Sequence, residues 1–411
     1  MIRILVIVAC CILSKFSNGQ KRNLDFFINQ GLANSPLVKD FENQIKINQL
    51  DSLLIVAMQR PQVSFESKDM YAPVVAGWGY DEAITNKANV NGLFTVSKTL
   101  NNSVSNKAQF ANIKLLSDAI RNKASISEQD TRKTIIAQYI TTYGDWLQVL
   151  FSQEIQSRLS SQELILKKLA EKNVYKQVDY LSFVITYKQS QFKLKQQTNQ
   201  YHNDYALLNY LTGLSDTSQP ELERPELSEA VLPDLTHSTF FQKYYLDSLS
   251  LVMSKRLIDI AYRPKLSVSG DAGYNSSLAY QPYKNFGTSV SLNLSIPIYD
   301  GRQKRIQYEK IALQENTRQS NKIFFTNQYY QQLAQLRQQL KATTDLVSEI
   351  NDQLRYIQTL VTANEKLLMT GDVRIYDYIQ SLNNFLNARS MINENTVSRW
   401  QLINQINYWN R

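Results

Sequence analysis

The chain has 411 residues, a formal net charge of +9, and only 12 Gly and 9 Pro. That is less than half the usual share of these two residues, which excludes a collagenous, linker-rich or loop-dominated disulfide protein and points to long uninterrupted elements. An apolar content of 43% excludes global disorder, and the length allows two or three ordinary domains.

Residues 1–19 read as a secretory signal peptide. Arg3 supplies the positive start, Ile4 to Leu13 the apolar stretch, and Ser17-Asn18-Gly19 the small residues before a cut at Gln20. The stretch is too short to span a bilayer. Ile7-Val8-Ala9-Cys10 is also lipobox-like, so a lipoprotein is the alternative. Cys10 and Cys11 both lie here, and the processed chain would have neither disulfides nor thiolate chemistry. Beyond the leader, Lys and Arg are dispersed among acids, Gln and Asn, a pattern that does not indicate nucleic-acid binding. No later run of 18 apolar residues predicts a transmembrane helix. An exported chain of this kind is secreted, periplasmic or inserted as a barrel.

The sequence is written twice. Residues 103–212 contain one Gly, Gly144, and no Pro; residues 302–411 contain one Gly, Gly371, and no Pro. A block of strand-like alternation precedes each of these helix-forming tracts. Arg60-Pro61-Gln62-Val63 recurs as Arg263-Pro264-Lys265-Leu266, and Asp179-Tyr180-Leu181 recurs as Asp377-Tyr378-Ile379, an offset of 198. The first repeat therefore covers 20–214, with a helix at about 24–60, a β-hairpin at about 61–98 and a helical arm at 103–212. The second covers 237–411, with a helix at about 238–262, a hairpin at about 264–299 and an arm at 302–411. Between them 215–236, with Pro220, Pro225 and Pro233, reads as an extended linker.

Period-two alternation marks the strands. Val290, Leu292, Leu294, Ile296 and Ile298 alternate with polar residues or proline in the fourth; Leu266, Val268, Ala272 and Tyr274 do so in the third. Val63 and Phe65 belong to the first, Val90, Phe94 and Val96 to the second. The connections Asp69 to Lys87 and Asn275 to Asn285 are polar and aromatic-rich. Strands of about ten residues with one apolar and one polar face suit a membrane barrel, or equally a soluble half-buried sheet.

In the second arm a strict heptad runs through Leu333, Leu340, Val347, Leu354, Val361 and Leu368. Its companion position holds Leu336, Thr343, Ile350, Ile357 and Asn364, and the next slot is Gly371. This predicts coiled-coil packing. The first arm is looser, with Ile155, Leu159, Leu166 and Leu169 leading to Asn173, the residue offset 198 from Gly371. Gly and Asn most readily take the left-handed conformation that ends a helix, so both arms should turn back at equivalent points. About 70 residues, ~105 Å of helix, precede each turn and about 40, ~60 Å, follow it. Each hairpin has open edges that lipid would not tolerate, and four strands cannot close a barrel. Several copies must pool their strands.

At this point the sequence resembles the TolC-like outer-membrane efflux family, over nearly all of the processed chain. Asn34-Ser35-Pro36-Leu37 is similar to the family's asparagine-proline start. Ile296-Pro297-Ile298-Tyr299-Asp300-Gly301 is similar to its exit from the last strand, Gly371-Asp372-Val373-Arg374-Ile375-Tyr376-Asp377 to its tip motif, and Leu386-Asn387-Ala388-Arg389 to an element that follows. The resemblance implies a mainly α protein with membrane β: a homotrimer with a twelve-stranded outer-membrane barrel, four strands per protomer, and a long periplasmic α-helical barrel. It implies a passive exit duct of a tripartite efflux or type I secretion system in the Gram-negative outer membrane. Such a duct works with a periplasmic adaptor and an inner-membrane pump of RND or ABC type. The adaptor would meet the tip through Asn173, Val174, Tyr175, Gly371, Asp372, Val373 and Arg374. Asp179 and Asp377 would sit at the pore constriction, where an acidic ring favours cations. Asn173 departs from the family's glycine, and Ser182 and Gln380 stand where some members carry a second acid, so the ring is less charged.

Nothing else in the sequence carries chemistry. Outside the leader there are two histidines, His202 and His237, and no cysteine, too few for a His/Cys metal site or a Ser-His-Asp triad with a Gly-flanked nucleophile. Glu221 and Glu223 read as solvated linker acids. No cofactor, metal or catalytic residue is expected, and the protein is not expected to be an enzyme. The rival readings are a periplasmic coiled-coil adaptor or structural scaffold, and a secreted fibrous coiled-coil protein, which would leave the strand blocks unexplained. Cargo identity is not legible in the sequence.

Overall fold

The computed structural model describes residues 22–81, 88–100, 103–215, 221–231 and 238–409. The leader with Cys10 and Cys11, His237, and the linker prolines Pro220 and Pro233 lie outside the described residues.

In chain order the elements are α1 (Leu24–Asn34), α2 (Pro36–Met58), β1 (Gln62–Ser67), β2 (Met70–Tyr71), β3 (Ala88–Leu100), α3 (Ser103–Glu171) and α4 (Gln177–Thr212). Then follow α5 (Thr239–Ala261), β4 (Lys265–Ser276), β5 (Phe286–Ser295), α6 (Gln303–Thr370) and α7 (Ile375–Trp409). No helix among the described residues is long and apolar enough to cross a membrane. Among the described residues two compact units form, each drawing on both halves of the sequence: those within 22–39, 124–239 and 324–409 in one, those within 40–123 and 240–323 in the other.

The first expected helix is two helices. Asn23 caps α1 by accepting a hydrogen bond from the Phe26 N–H at 2.9 Å. The helix stops at Ser35, whose ψ of 119° is extended, because Pro36 excludes the helical conformation from the residue before it. Pro36 then opens α2 at the first helical position, where its missing N–H costs nothing.

The helical unit is built on the heptads. Leu333, Leu336, Ile350, Leu354, Val361 and Leu368 are buried, and the remaining a and d residues are at least half-buried. Ile155, Leu159 and Leu166 of α3, Phe183 of α4, and Ile375, Tyr378 and Leu382 of α7 join Val361 and Leu368 in one core. A second core packs Phe27 and Ile28 of α1 against Ile135, Tyr139, Tyr201, Tyr205 and Leu208. Gly144 is required by packing: a Cβ there would meet Val397 Cγ2 of α7 at 2.5 Å, and the Asn393 amide donates to the Gly144 carbonyl at 3.1 Å. The described part of the linker, 221–231, is pinned at its start. Arg22 pairs with Leu222 in a short bridge, and the Tyr139 hydroxyl lies 2.6 Å from the Glu223 carbonyl.

The second unit carries a sheet in the order β1-β3-β4-β5, with β2 on β3. All pairs are antiparallel. The two hairpins expected from the sequence are thus joined through β3 and β4, leaving β1 and β5 as the only edges of this four-stranded path. The fourth strand, Phe286–Ser295, begins where the expected connection ends but stops before the alternation does, so Ile296, Pro297 and Ile298 follow it. Pro297 has no N–H to offer a ladder. In the long connection, Ala76 and Gly77 take φ of 53° and 85°, and Val75 and Trp78 exchange both backbone hydrogen bonds at 3.0 Å, the pattern of a two-residue hairpin turn.

Candidate functional site: paired tip turns and an amphipathic sheet

Both arms reverse at the residues expected to reverse them. Asn173 has φ 59° and Gly371 φ 85°. At the first turn the Val174 N–H donates to the Leu169 carbonyl at 2.9 Å and the Asn173 N–H to the Ala170 carbonyl at 3.0 Å. At the second, the Asp372 N–H donates to the Leu367 carbonyl at 3.0 Å. These bonds satisfy carbonyls that a helix end would leave open. The two turns also touch each other: a Cβ on Gly371 would lie 2.9 Å from Val174 Cγ1.

Tyr175 joins them. Its hydroxyl lies 2.9 Å from the carbonyl oxygens of both Leu368 and Val373 and shares its proton between them. Burial, and then the charge of Asp372, push this phenol above its ordinary pKa. Ile375 is buried beneath the turn. Val174 and Tyr376 are largely exposed, as are Asp372 and Arg374. The seven residues assigned to the tip by resemblance therefore lie together around two touching turns.

Asp179 and Asp377 both occupy the first turn of their helices, α4 and α7, where the helix dipole favours a carboxylate. Their surroundings differ. Arg374 grips Asp377 with two hydrogen bonds, Nε to Oδ2 at 2.8 Å and Nη2 to Oδ1 at 3.0 Å. Asp179 is exposed and makes no ion pair among the described residues. Lys176 stands at the repeat-equivalent of Arg374. Above the turns, Gln162 of α3 donates to Glu365 of α6 at 2.7 Å, and the Tyr180 hydroxyl of α4 donates to Glu163 of α3 at 2.6 Å. That bond raises the Tyr180 phenol to about 12. The Asp377 clamp and the Tyr175 contact were not legible from spacing alone, although Arg374 three residues before Asp377 on a helix start is a readable signal.

Sequence reasoning also missed a carboxyl pair. Asp145 of α3 lies against Asp204 of α4. Burial first, then the bond and charge of Asp204, push the Asp145 carboxyl up to about 7. Asp204 accepts from Gln138 at 3.0 Å and from Gln200 at 2.5 Å and is held below its usual range against its own burial. No sequence signal connects positions 145 and 204. His202 is exposed. Among the described residues no group of three His, Cys, Asp or Glu is placed to hold a metal ion.

The sheet register sorts its side chains onto two faces. Val63, Val96, Gly270 and Val290 lie in one row; Phe65, Phe94, Ala272 and Thr288 in the next; Leu100, Leu266 and Leu294 at one end. The opposite face carries the rows Gln62, Ser97, Ser269 and Ser291, and Ser64, Thr95, Asp271 and Ser289. On the polar face the hydroxyls of Ser269 and Ser291 lie 2.7 Å apart and Ser289 donates to Asp271 at 2.6 Å. On the apolar face Phe65 packs on Phe94 with ring centroids 4.9 Å apart, and the Phe65 ring lies 3.5 Å from where a Gly92 Cβ would stand. That apolar face is uncovered: Val63 is 69% exposed, Phe94 60%, Val290 84% and Leu292 67%.

No family model matches the sequence, and no curated protein matches it. Solved structures do. The chain superimposes on CusC, a protein described in connection with transmembrane channel formation, with TM-score 0.73 and 12% identity over 96% of each chain. The outer-membrane protein VceC of Vibrio cholerae matches with TM-score 0.73 and 10% identity over 94% of this chain and 96% of that one. The CmeC outer-membrane channel of Campylobacter jejuni matches with TM-score 0.71 and 11% identity over 94% and 85%. The chain has the fold of the TolC-like outer-membrane channels.

Proposed function

We propose that the protein is the outer-membrane exit duct of a tripartite efflux or type I secretion system. It is a passive homotrimeric channel that passes cargo received from a periplasmic adaptor and an inner-membrane pump, and it does no catalysis. The carrying observation is the sheet with one continuous, uncovered apolar face, one polar face and two open edges. In water such a face would remain unburied at about 25 cal/mol per Å², and in lipid the open edges would each cost several kcal/mol per unpaired group. Pairing β5 of one copy with β1 of the next satisfies both demands. Three copies give twelve strands, apolar side out and polar side in.

The helical unit supports the same assembly. Val178, Leu181, Ile185 and Phe192 form an exposed seam at heptad spacing on α4, and Leu346, Leu360 and Leu367 form another on α6. Two different seams on one chain make a head-to-tail contact that closes into a ring. Within Asn173 to Val178 and Gly371 to Tyr376, the exposed side chains around the touching turns, Val174 and Lys176 on one and Asp372, Arg374 and Tyr376 on the other, are the surface offered to the adaptor. The periplasmic adaptor reading is weaker, because a soluble protein would have to cover the apolar sheet face.

The test is the state of the protein in outer-membrane extracts. A trimer band should persist in unheated detergent gels, collapse to a monomer on heating, and give stepwise conductance in planar bilayers. A monodisperse water-soluble monomer would overturn the reading.

A further inference from the structure

The helix-proximal end of the sheet is ringed by unpaired cations. Arg60 precedes β1, Lys98 lies near the end of β3, Arg263 precedes β4, and Arg302 follows β5. All four are exposed, and none forms an ion pair among the described residues. The acids at this end are already engaged. Asp300 accepts from the Arg302 and Lys304 N–H groups at 2.9 and 2.8 Å, which caps α6. Asp259 holds Lys304 at 3.0 Å and the Tyr308 hydroxyl, and Glu309 holds Arg305 at 2.9 Å. The loop end differs in its order along the chain: Lys68 and Asp69 follow β1, Asp81 lies in the connection before β3, and Lys284 lies between β4 and β5.

The register adds a second observation. Lys98 pairs with Val268, and Val268 with Leu292, so this lysine sits on the apolar face, one row from its end. A lysine there reaches the polar boundary with its head while its stem covers apolar surface. Beyond β5 the order is Ile296, Ile298, Tyr299, then Arg302. Ile298 is 96% and Tyr299 84% exposed. Apolar, then aromatic, then cationic is the order of a membrane boundary read outward from the hydrocarbon.

We propose that Arg60, Lys98, Arg263 and Arg302 form a collar that binds the phosphate headgroups of anionic phospholipids in the leaflet facing the helices. The inference rests on the membrane reading above. Lys265 also lies at this end, but it stands inside β4, where its pairing with Ser295 places it on the polar face, outside the collar; Arg60, Arg263 and Arg302 lie beyond the strands, where the alternation no longer sets a face. The collar fixes the depth of the sheet in the bilayer and selects the lipids that surround the trimer.

Full-length protein is reconstituted into vesicles of phosphatidylcholine alone and of phosphatidylcholine with one-third phosphatidylglycerol, and the co-purifying lipid is quantified. The expected result is enrichment of phosphatidylglycerol around the trimer, lost as salt rises. Lys98→Gln and Arg302→Gln should each lower the preference roughly fivefold, the scale of one cation near an anionic surface. Lys265→Gln and Lys68→Gln should leave it unchanged. Equal incorporation in both vesicles with no enrichment, an enrichment indifferent to salt, or an equal loss in the Lys265→Gln control would each overturn the collar while leaving the channel intact. Failure to insert into either vesicle would instead overturn the membrane reading.

Discussion

The hydroxyl of Tyr175 lies 2.9 Å from the carbonyl oxygen of Val373, the residue one repeat length further along the chain. The duplication thus meets itself at the tip, where one repeat supplies a phenol and the other the backbone it binds. Tyr175→Phe removes that bond with little change of shape and should cost about 1 kcal/mol. The loss should appear as faster amide exchange at residues 372–378, with the rest of α6 and α7 unchanged. Exchange equal to wild type would mean that the bond does not hold the turns together.

Gly371 and Asn173 hold equivalent conformations, yet they differ in tolerance. Gly371→Ala places a Cβ both at positive φ and 2.9 Å from Val174 Cγ1, and should destabilise by roughly 1–2 kcal/mol. Asn173→Gly should be neutral or slightly favourable, since the same conformation is kept without a side chain. Thermal unfolding of the two variants measures the difference. Equal effects would argue against the contact between the turns.

Much of this was legible because it repeats locally. The heptads from Leu333 to Leu368, the alternation in β4 and β5, and the helix-ending character of Asn173 and Gly371 are all patterns within a few turns or strand residues. What escaped depends on contacts between distant positions. Nothing in the alternation says that β3 pairs with β4, because register across a long connection is set by the sheet and not by either strand. Pro36 was visible in the sequence, but a helix interrupted for one residue keeps its apolar periodicity on both sides. Asp145 and Asp204, on helices that meet only in the folded unit, left no trace at all. The candidate tip residues were placed by their motif, while the clamp of Arg374 on Asp377 needed geometry.

The Asp145–Asp204 pair should make the helical unit sensitive to pH. Asp145 ionises at about 7 in the fold, against an ordinary value of 3.8. Its raised value means that the native state holds a proton the unfolded chain has lost. The stabilisation is therefore complete below about 4 and disappears as pH rises through 7. Asp204, held low, acts in the opposite sense and only under more acidic conditions, where its contribution is lost as pH falls. The melting temperature should decline from pH 5 to pH 8, and Asp145→Asn should flatten that slope. A slope unchanged in this variant would place the titrating group elsewhere.

If Asp179 and Asp377 line the constriction, they should not contribute equally. Arg374 already neutralises Asp377 through two hydrogen bonds, whereas Asp179 is free to face permeating ions. In planar bilayers with a salt gradient, Asp179→Ala should reduce cation preference more than Asp377→Ala, and Arg374→Gln should increase it. Because the exposed pair is weak and screened, these differences should shrink at high salt. Unchanged reversal potentials in the Asp179→Ala, Asp377→Ala double variant would remove both acids from the pore.

The two faces of the sheet provide the sharpest comparison, because neighbouring residues of β5 point to opposite environments. Val290 lies in the central row of the apolar face with Val63, Val96 and Gly270, while Ser291 lies with Gln62, Ser97 and Ser269 on the other. An arginine at the bilayer midplane costs about 2–4 kcal/mol in a membrane barrel, and a lumen position avoids that penalty. Val290→Arg should therefore lower the yield of heat-modifiable trimer in the outer membrane, and Ser291→Arg should leave the yield intact while altering conductance. If the two substitutions exchanged their effects, the sheet would be facing the other way. If neither changed the trimer yield, the apolar face would not be in contact with lipid.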